Sequence, residues 1–174
     1  MHAWKNYAPP EHLRNYRTLQ RNTAMQDFET IRQRLVQLFA SQKLAVLSTH
    51  HDGQPYASLI AFTSSDDLKE IFFATPRATR KYANLQADPR VALLIDSRSN
   101  QDSDIHRAIA VTAVGRAAEV NESEREKVLQ LYLYKQPHLE EFVKSPSCAL
   151  VQVTVATFYV VSRFQKVMEL HVTA

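Results

Sequence analysis

The chain has 174 residues, 45% hydrophobic and 22% charged, with a net charge of +3, values of an ordinary globular protein with one core. No apolar run reaches the ~18 residues that span a bilayer, and the opening MHAWKNYAPPEHLRNYR lacks the apolar stretch of a secretory signal. One cysteine, Cys148, and two glycines, Gly53 and Gly115, exclude an internal disulfide, a thiolate-rich zinc site, a Rossmann G-x-G-x-x-G and a Walker A loop.

Residues 1–22 are polar, contain Pro9-Pro10, and set Lys5, Arg14, Arg17 and Arg21 against Glu11, so they hold the whole excess of charge. An N-terminal arm is expected there, followed by one domain over 23–174. Trp4, Tyr7 and Tyr16 stand among the arm's cations, a pattern that stacks on bases in some nucleic-acid binders. The rest of the chain is neutral, which argues against extended nucleic-acid contact.

Thr23 with Gln26 fits a capping box, and Phe28, Ile31, Leu35, Leu38 and Phe39 repeat at helical spacing. The pattern then turns to strands. KLAVLST and PYASLIAFT flank HHDGQ, in which Asp52-Gly53 is a two-residue hairpin signal. SSDD turns the chain into KEIFFAT. ANLQ reads as helix, RVALLID as strand, SRSNQDSD as a polar loop and HRAIAVTAVGRAAEV as a long strand. Gly115 in that last segment suits a bulge or barrel bend. Asn121 and Glu124 suggest a second capping box, opening a helix that runs through Tyr134 until Pro137 breaks it. HLEEFVK adds a turn or two. CALVQVTVA, TFYVVSRF and KVMELHV close the chain as strands. About seven strands, mostly hairpin-linked, with three helices imply a mainly β fold: an antiparallel barrel with flanking helices.

The densest chemistry lies in TPRATRKYANLQADPRV, Thr75 to Val91. Asp88-Pro89 stops its helix. The start has two readings, Thr75 as N-cap with Pro76 at N1, or Thr79 as N-cap. In both, free backbone N–H groups and the positive dipole end lie beside Thr79, Arg80 and Lys81. Cations there oppose the dipole unless an anion is present. Arg offers a fork to phosphate oxygens and Lys a point charge.

FFATPRATRKYANLQADPRVALLI resembles the FMN-binding core of the pyridoxamine 5′-phosphate oxidase-like split-barrel flavoproteins. An aromatic-rich strand leads to Thr75, then Thr79-Arg80-Lys81 opens a helix, followed by Leu85, Asp88-Pro89 and the strand VALLI. LAVLSTHHDGQPYASLIAFT resembles the family's first hairpin, and the similarity covers Leu44 to about Val120. It implies a split barrel that binds FMN noncovalently at the interface of a homodimer and oxidises or reduces a small molecule. Arg80 and Lys81 would hold the phosphate, with Thr75 and Thr79 supplying hydroxyl or backbone contacts. Ser58, Leu59, Ile60 and Ala61 would run along the flavin, with Ser58 and Ile60 on one strand face and Leu59 and Ala61 on the other. True pyridoxamine phosphate oxidases carry Arg where this chain has Ser58, and end in a Trp-, Arg- and His-bearing tail. TFYVVSRFQKVMELHVTA lacks that pattern, so a different substrate is expected, and no catalytic side chain is assigned. Some split-barrel relatives bind haem through a C-terminal histidine. His171, near the C-terminus, raises that possibility, and a haem-binding or haem-degrading protein, or a non-catalytic flavin or nucleotide binder, is the alternative.

The remaining groups read as ordinary surface. His50-His51 flank a solvated turn and form no metal site by themselves. Asp66-Asp67 and Glu140-Glu141 are solvated pairs. Arg163 and Lys166 flank Phe164 on a barrel rim, and Arg77 and Arg90 have no assigned role.

Overall fold

The computed structural model describes residues 29–162 and 166–172. The chain divides into two compact units, Met1–Leu35 and Val36–Ala174. The first is described only over residues 29–35, which are helical. That helix, α1, runs over residues 29–41. The expected arm, the Thr23 cap and Phe28 lie outside the described residues, as do Arg163 and Phe164.

The second unit is built on seven strands among the described residues: β1 (Leu44–His51), β2 (Gln54–Ser64), β3 (Glu70–Pro76), β4 (Arg90–Asp96), β5 (Ile109–Glu119), β6 (Cys148–Ser162) and β7 (Lys166–His171). All pairings are antiparallel, in the order β3-β2-β1-β4-β5-β6-β7, and β3 also pairs with β6. That extra pairing closes six strands into a barrel and leaves β7 as an added edge strand. Four further helices are α2 (Arg80–Ala87), α3 (Asp104–Arg107), α4 (Glu122–Lys135) and α5 (Glu140–Lys144), with a 3-10 turn at Pro137–Leu139. No described helix is long and apolar enough to cross a membrane.

Local chemistry explains the connections. Asp52 (φ 48°) and Gly53 (φ 78°) both take positive φ between β1 and β2, the backbone of the two-residue turn expected there. Gly115 sits where the β5–β6 register shifts. A Cβ there would run into the Thr154 carbonyl oxygen, so the close strand approach requires glycine. The bulged residue is Ala156 on β6, because Val114 pairs with Thr157 and Gly115 with Val155. Ala156 O accepts from Val172 N instead. At this point β6 exchanges β3 for β7 on its other edge.

Three local expectations are corrected. CALVQVTVA and TFYVVSRF are one strand of 15 residues; the apparent break at Ala156 is the bulge. His106 and Arg107 belong to α3 rather than β5: Asp104, first in the helix, ties down the preceding loop by accepting from Ser99 and Gln101 N–H groups, and its carbonyl accepts from Ala108 N. Asn121 is an N-cap without a side-chain bond. Its carbonyl accepts from Glu124 N instead, so no capping box forms.

The core has two layers. Inside the barrel, Phe39 from the last turn of α1 meets Phe62 and Phe158 edge-on at 5.6 and 5.9 Å. Outside it, Phe72, Ala74, Cys148 and Leu150 of β3 and β6 pack under Val128, Leu129 and Tyr132 of α4 and Val143 of α5. β3 is therefore covered on both faces, which explains the unbroken apolar run EIFFA.

Candidate functional site

The barrel is split between β2 and β3. These strands pair only through Phe62–Phe73, Thr63–Phe72 and Ser64–Ile71. Beyond Phe62, β2 stays on β1 while Ala74, Thr75 and Pro76 stay on β6. At the point of divergence Tyr132 of α4 is fully buried and donates its hydroxyl to Ala61 O at 3.4 Å. Burial pushes its phenol above the usual range, opposed by the Ala74 backbone N–H. Alternation along the strand points the Leu59 backbone groups toward the gap, as for Ala61, and those of Ile60 toward β1.

The barrel interior turns polar toward this gap. Inward positions run from Leu47 and Ile60 to Thr49, Tyr56 and Ser58, with Leu47 opposite Ser58 and Thr49 opposite Tyr56. Thr75 of β3 is 1% exposed. α2 crosses this end, anchored by Asn84, whose buried amide donates to Thr49 Oγ1 at 2.9 Å. Thr49 in turn donates to Tyr56 O at 3.4 Å. The Ser58 Oγ is buried and has no hydrogen-bond partner among the described residues. A buried hydroxyl without a partner is costly and marks a place that a polar ligand would complete.

The start of α2 resolves the two readings in favour of Thr79 (φ −90°, ψ 151°) as N-cap. Its hydroxyl donates to Pro76 O at 2.8 Å, accepts from Tyr82 N at 3.4 Å and meets the Thr75 hydroxyl at 3.0 Å. One donor and two acceptors are then all in use. The Ala83 N–H goes to Thr79 O. The Arg80 and Lys81 N–H groups, first in the helix, have no acceptor among the described residues.

The four cations of this stretch separate into two pairs. Arg77 is ion-paired with Glu119 and donates to Pro146 O and Cys148 O. The same Glu119 accepts from Tyr82 Oη at 2.9 Å, which pushes that phenol up. Arg90 grips Asp88 with its Nε and Nη2, and holds that carboxyl well below the usual range. His50 reaches the same carboxylate at 3.2 Å. Arg80 and Lys81 have no ion pair among the described residues. The Arg80 guanidinium lies 5.4 Å from the centre of the Tyr56 ring, a cation–π contact that holds it without neutralising it.

Thr75, Thr79, Arg80 and Lys81 are thus brought together at one end of the split. Ser58 and Ile60 face the barrel interior. Leu59, 63% exposed, and Ala61 face outward. Tyr56, Thr49, Asn84 and Glu119 were not singled out by sequence reasoning. Each acts through a partner at least 24 residues away, and no local pattern marks such pairs. His171 lies on β7, 72% exposed at its side chain, 3.2 Å from Thr157 Oγ1 and 3.4 Å from Glu169. Lys166 opens β7. No group of three metal-ligating side chains occurs among the described residues.

Comparison with solved structures gives the fold independently. A haem-binding protein from Mycobacterium smegmatis superposes with TM-score 0.70 at 16% identity, over 78% of this chain and 55% of its own. Campylobacter jejuni ChuZ gives 0.71 at 12%, over 82% and 60%. An FAD-binding protein from Mesorhizobium loti gives 0.60 at 15%, over 73% and 89%. The chain therefore spans little more than half the length of the first two. No curated protein matches it. Residues 31–162, which take in all six barrel strands, match the family model described as pyridoxamine 5′-phosphate oxidase, and the chain belongs to that family.

Proposed function

We propose that the protein binds FMN noncovalently as a homodimer and uses it to oxidise or reduce a small molecule. One observation carries this reading: among the described residues Arg80 and Lys81 stay unpaired at the N-terminus of α2, while Arg77 and Arg90 beside them are neutralised. Two free cations at the positive end of a helix repel it unless an anion binds between them. The N–H groups of Arg80 and Lys81 and the Ser58 hydroxyl, all without a partner among the described residues, supply the donors a phosphate and an adjoining polar ring need. Tyr56 beneath Arg80 orients the guanidinium, and Asn84 fixes the helix against β1. The Leu59 N–H faces the gap, where it would meet the ring edge.

When bound, FMN supplies hydride and electron transfer itself, so no catalytic acid or base is required of the chain. Ser58 in place of the family's arginine favours a substrate other than pyridoxamine phosphate. The dimer reading is supported by the outward face of the barrel. Leu59, Val46, Leu94, Thr112 and Tyr159 lie side by side across five strands through the pairings Leu59–Val46–Leu94–Thr112–Tyr159. Leu59 is 63% and Leu44 50% exposed there, and an apolar face of this kind marks an interaction surface. A chain with one cysteine suits a reducing cytoplasm.

The visible spectrum of the purified protein is the first test. The two-band absorbance of oxidised flavin, present on isolation or after adding FMN, supports the reading. A Soret band supports haem instead, the second reading, to which exposed His171 and the Mycobacterium smegmatis neighbour lend support. Arg80→Ala with Lys81→Ala is expected to weaken FMN binding by roughly 10²-fold or more, at about 1.5–3 kcal/mol per charged hydrogen bond. Unchanged affinity would reject the phosphate assignment.

A further inference from the structure

We propose that the cavity beside Lys135 is a second ligand site, which takes a small carboxylate with an apolar tail and seats the carboxylate on the Lys135 ammonium. The cavity is about 490 Å³, with Val36, Phe39, Leu68 and Leu131 on its apolar wall and Thr63, Ser64 and Ser65 also lining it, within the ~300–1,000 Å³ of small-molecule sites. None of its lining residues belongs to the α2 site. The wall is preformed: the β2–β3 turn holds Leu68 at φ 62°, a costly conformation for a bulky residue, with its side chain 5% exposed.

Lys135 is the unusual group in this wall. It is the last residue of α4 and half-buried. Its ammonium donates to Phe39 O at 2.6 Å and lies 3.8 Å from the centre of the Phe62 ring. No carboxylate pairs with it among the described residues. A carbonyl and a ring face stabilise a cation without neutralising it, and an ammonium has three donors. A carboxylate entering the cavity would supply the missing charge, and the apolar walls would cover its tail. The other titratable groups lining the cavity are Asp66 and Tyr134. Both are exposed, Tyr134 at 91%, so water screens Asp66 more than Lys135. Burial pulls the Lys135 amine down to about 8. Carboxylate binding is therefore strongest below that value and fades above it as the ammonium loses its proton.

The test is a calorimetric titration of the full chain with octanoate, octanol and octylamine at about pH 7. Octanoate is expected to saturate at one per chain, with octanol and octylamine weaker by roughly tenfold or more, the worth of a charged hydrogen bond. Octanoate affinity should fall by roughly tenfold or more at about pH 10. Lys135→Met should lose octanoate binding while keeping its response to FMN, and Lys135→Arg should keep both. Equal binding of octanol, no saturation by octanoate, or unchanged binding in Lys135→Met overturns the proposal. If Lys135→Met does not fold, the octanol comparison and the pH series on the unsubstituted chain decide alone.

Discussion

Thr79 shows how one residue sets the candidate site. Its hydroxyl satisfies the Tyr82 N–H, the Pro76 carbonyl and the Thr75 hydroxyl together. The sequence allowed both Thr75 and Thr79 as cap. What decides is that Thr75 and Pro76 remain in β3, paired with Ala149 and Cys148, so the helix cannot open before Thr79. Thr79→Ala should cost about 1 kcal/mol of unfolding free energy, the usual worth of an N-cap, and Thr79→Ser should restore most of it in urea titration. An unchanged midpoint for the alanine variant would show that the cap contributes nothing. The separation of Arg77 and Arg90 from Arg80 and Lys81 was hidden in the sequence for a related reason. Arg90 meets Asp88 two residues away, but Arg77 finds Glu119 at the end of β5, 42 residues away.

At the scale of elements, the division of β2 between β3 and open edge is the feature that makes a site. Tyr132 stands at the fork and meets the Ala61 carbonyl and the Ala74 N–H, which the ladder leaves behind. Tyr132→Phe strands both groups and is expected to destabilise by about 1–3 kcal/mol. The pH dependence has a definite sign. Burial raises the Tyr132 phenol above its unfolded value, so its contribution is complete below that unfolded value, about 10, and is lost as pH climbs beyond it. Stability measured in urea should decline from about pH 10 upward and do so less in Tyr132→Phe. An equal decline in both would place its cause elsewhere. Alternating strands and the Asp52-Gly53 turn were legible because they rest on local patterns of two and on backbone preference. The bulge at Ala156 was read as a chain break, since one extra residue interrupts the alternation just as a turn would. α3 is four residues long, too short to show a helical period.

At the scale of the whole molecule, the outward face of the barrel is where the proposed dimer would form. Its row of Leu59, Val46, Leu94 and Tyr159 is apolar on a surface where alternation normally places polar groups. If two copies meet there, Leu59→Lys should convert the dimer to a monomer, read by sedimentation at equal concentration, and weaken FMN binding as well. A variant that keeps the mass of the unsubstituted protein would remove this face from the interface. The Lys135 charge, unpaired among the described residues, lies in a cavity walled by α1, the β2–β3 turn and α4. A ligand there and one at α2 would therefore use different walls of the same barrel.

The sequence by itself determined the mainly β architecture, the first hairpin, the helix that ends at Asp88-Pro89 and the cation cluster that opens it. Each is written in neighbouring residues, as alternation, turn chemistry or capping. Only the tertiary structure decided which cations are neutralised, that Ser58 ends without a partner among the described residues, and that β2 parts from β3 beyond Phe62. These depend on groups brought together from distant parts of the chain by barrel closure, and closure follows from the register of six strands at once.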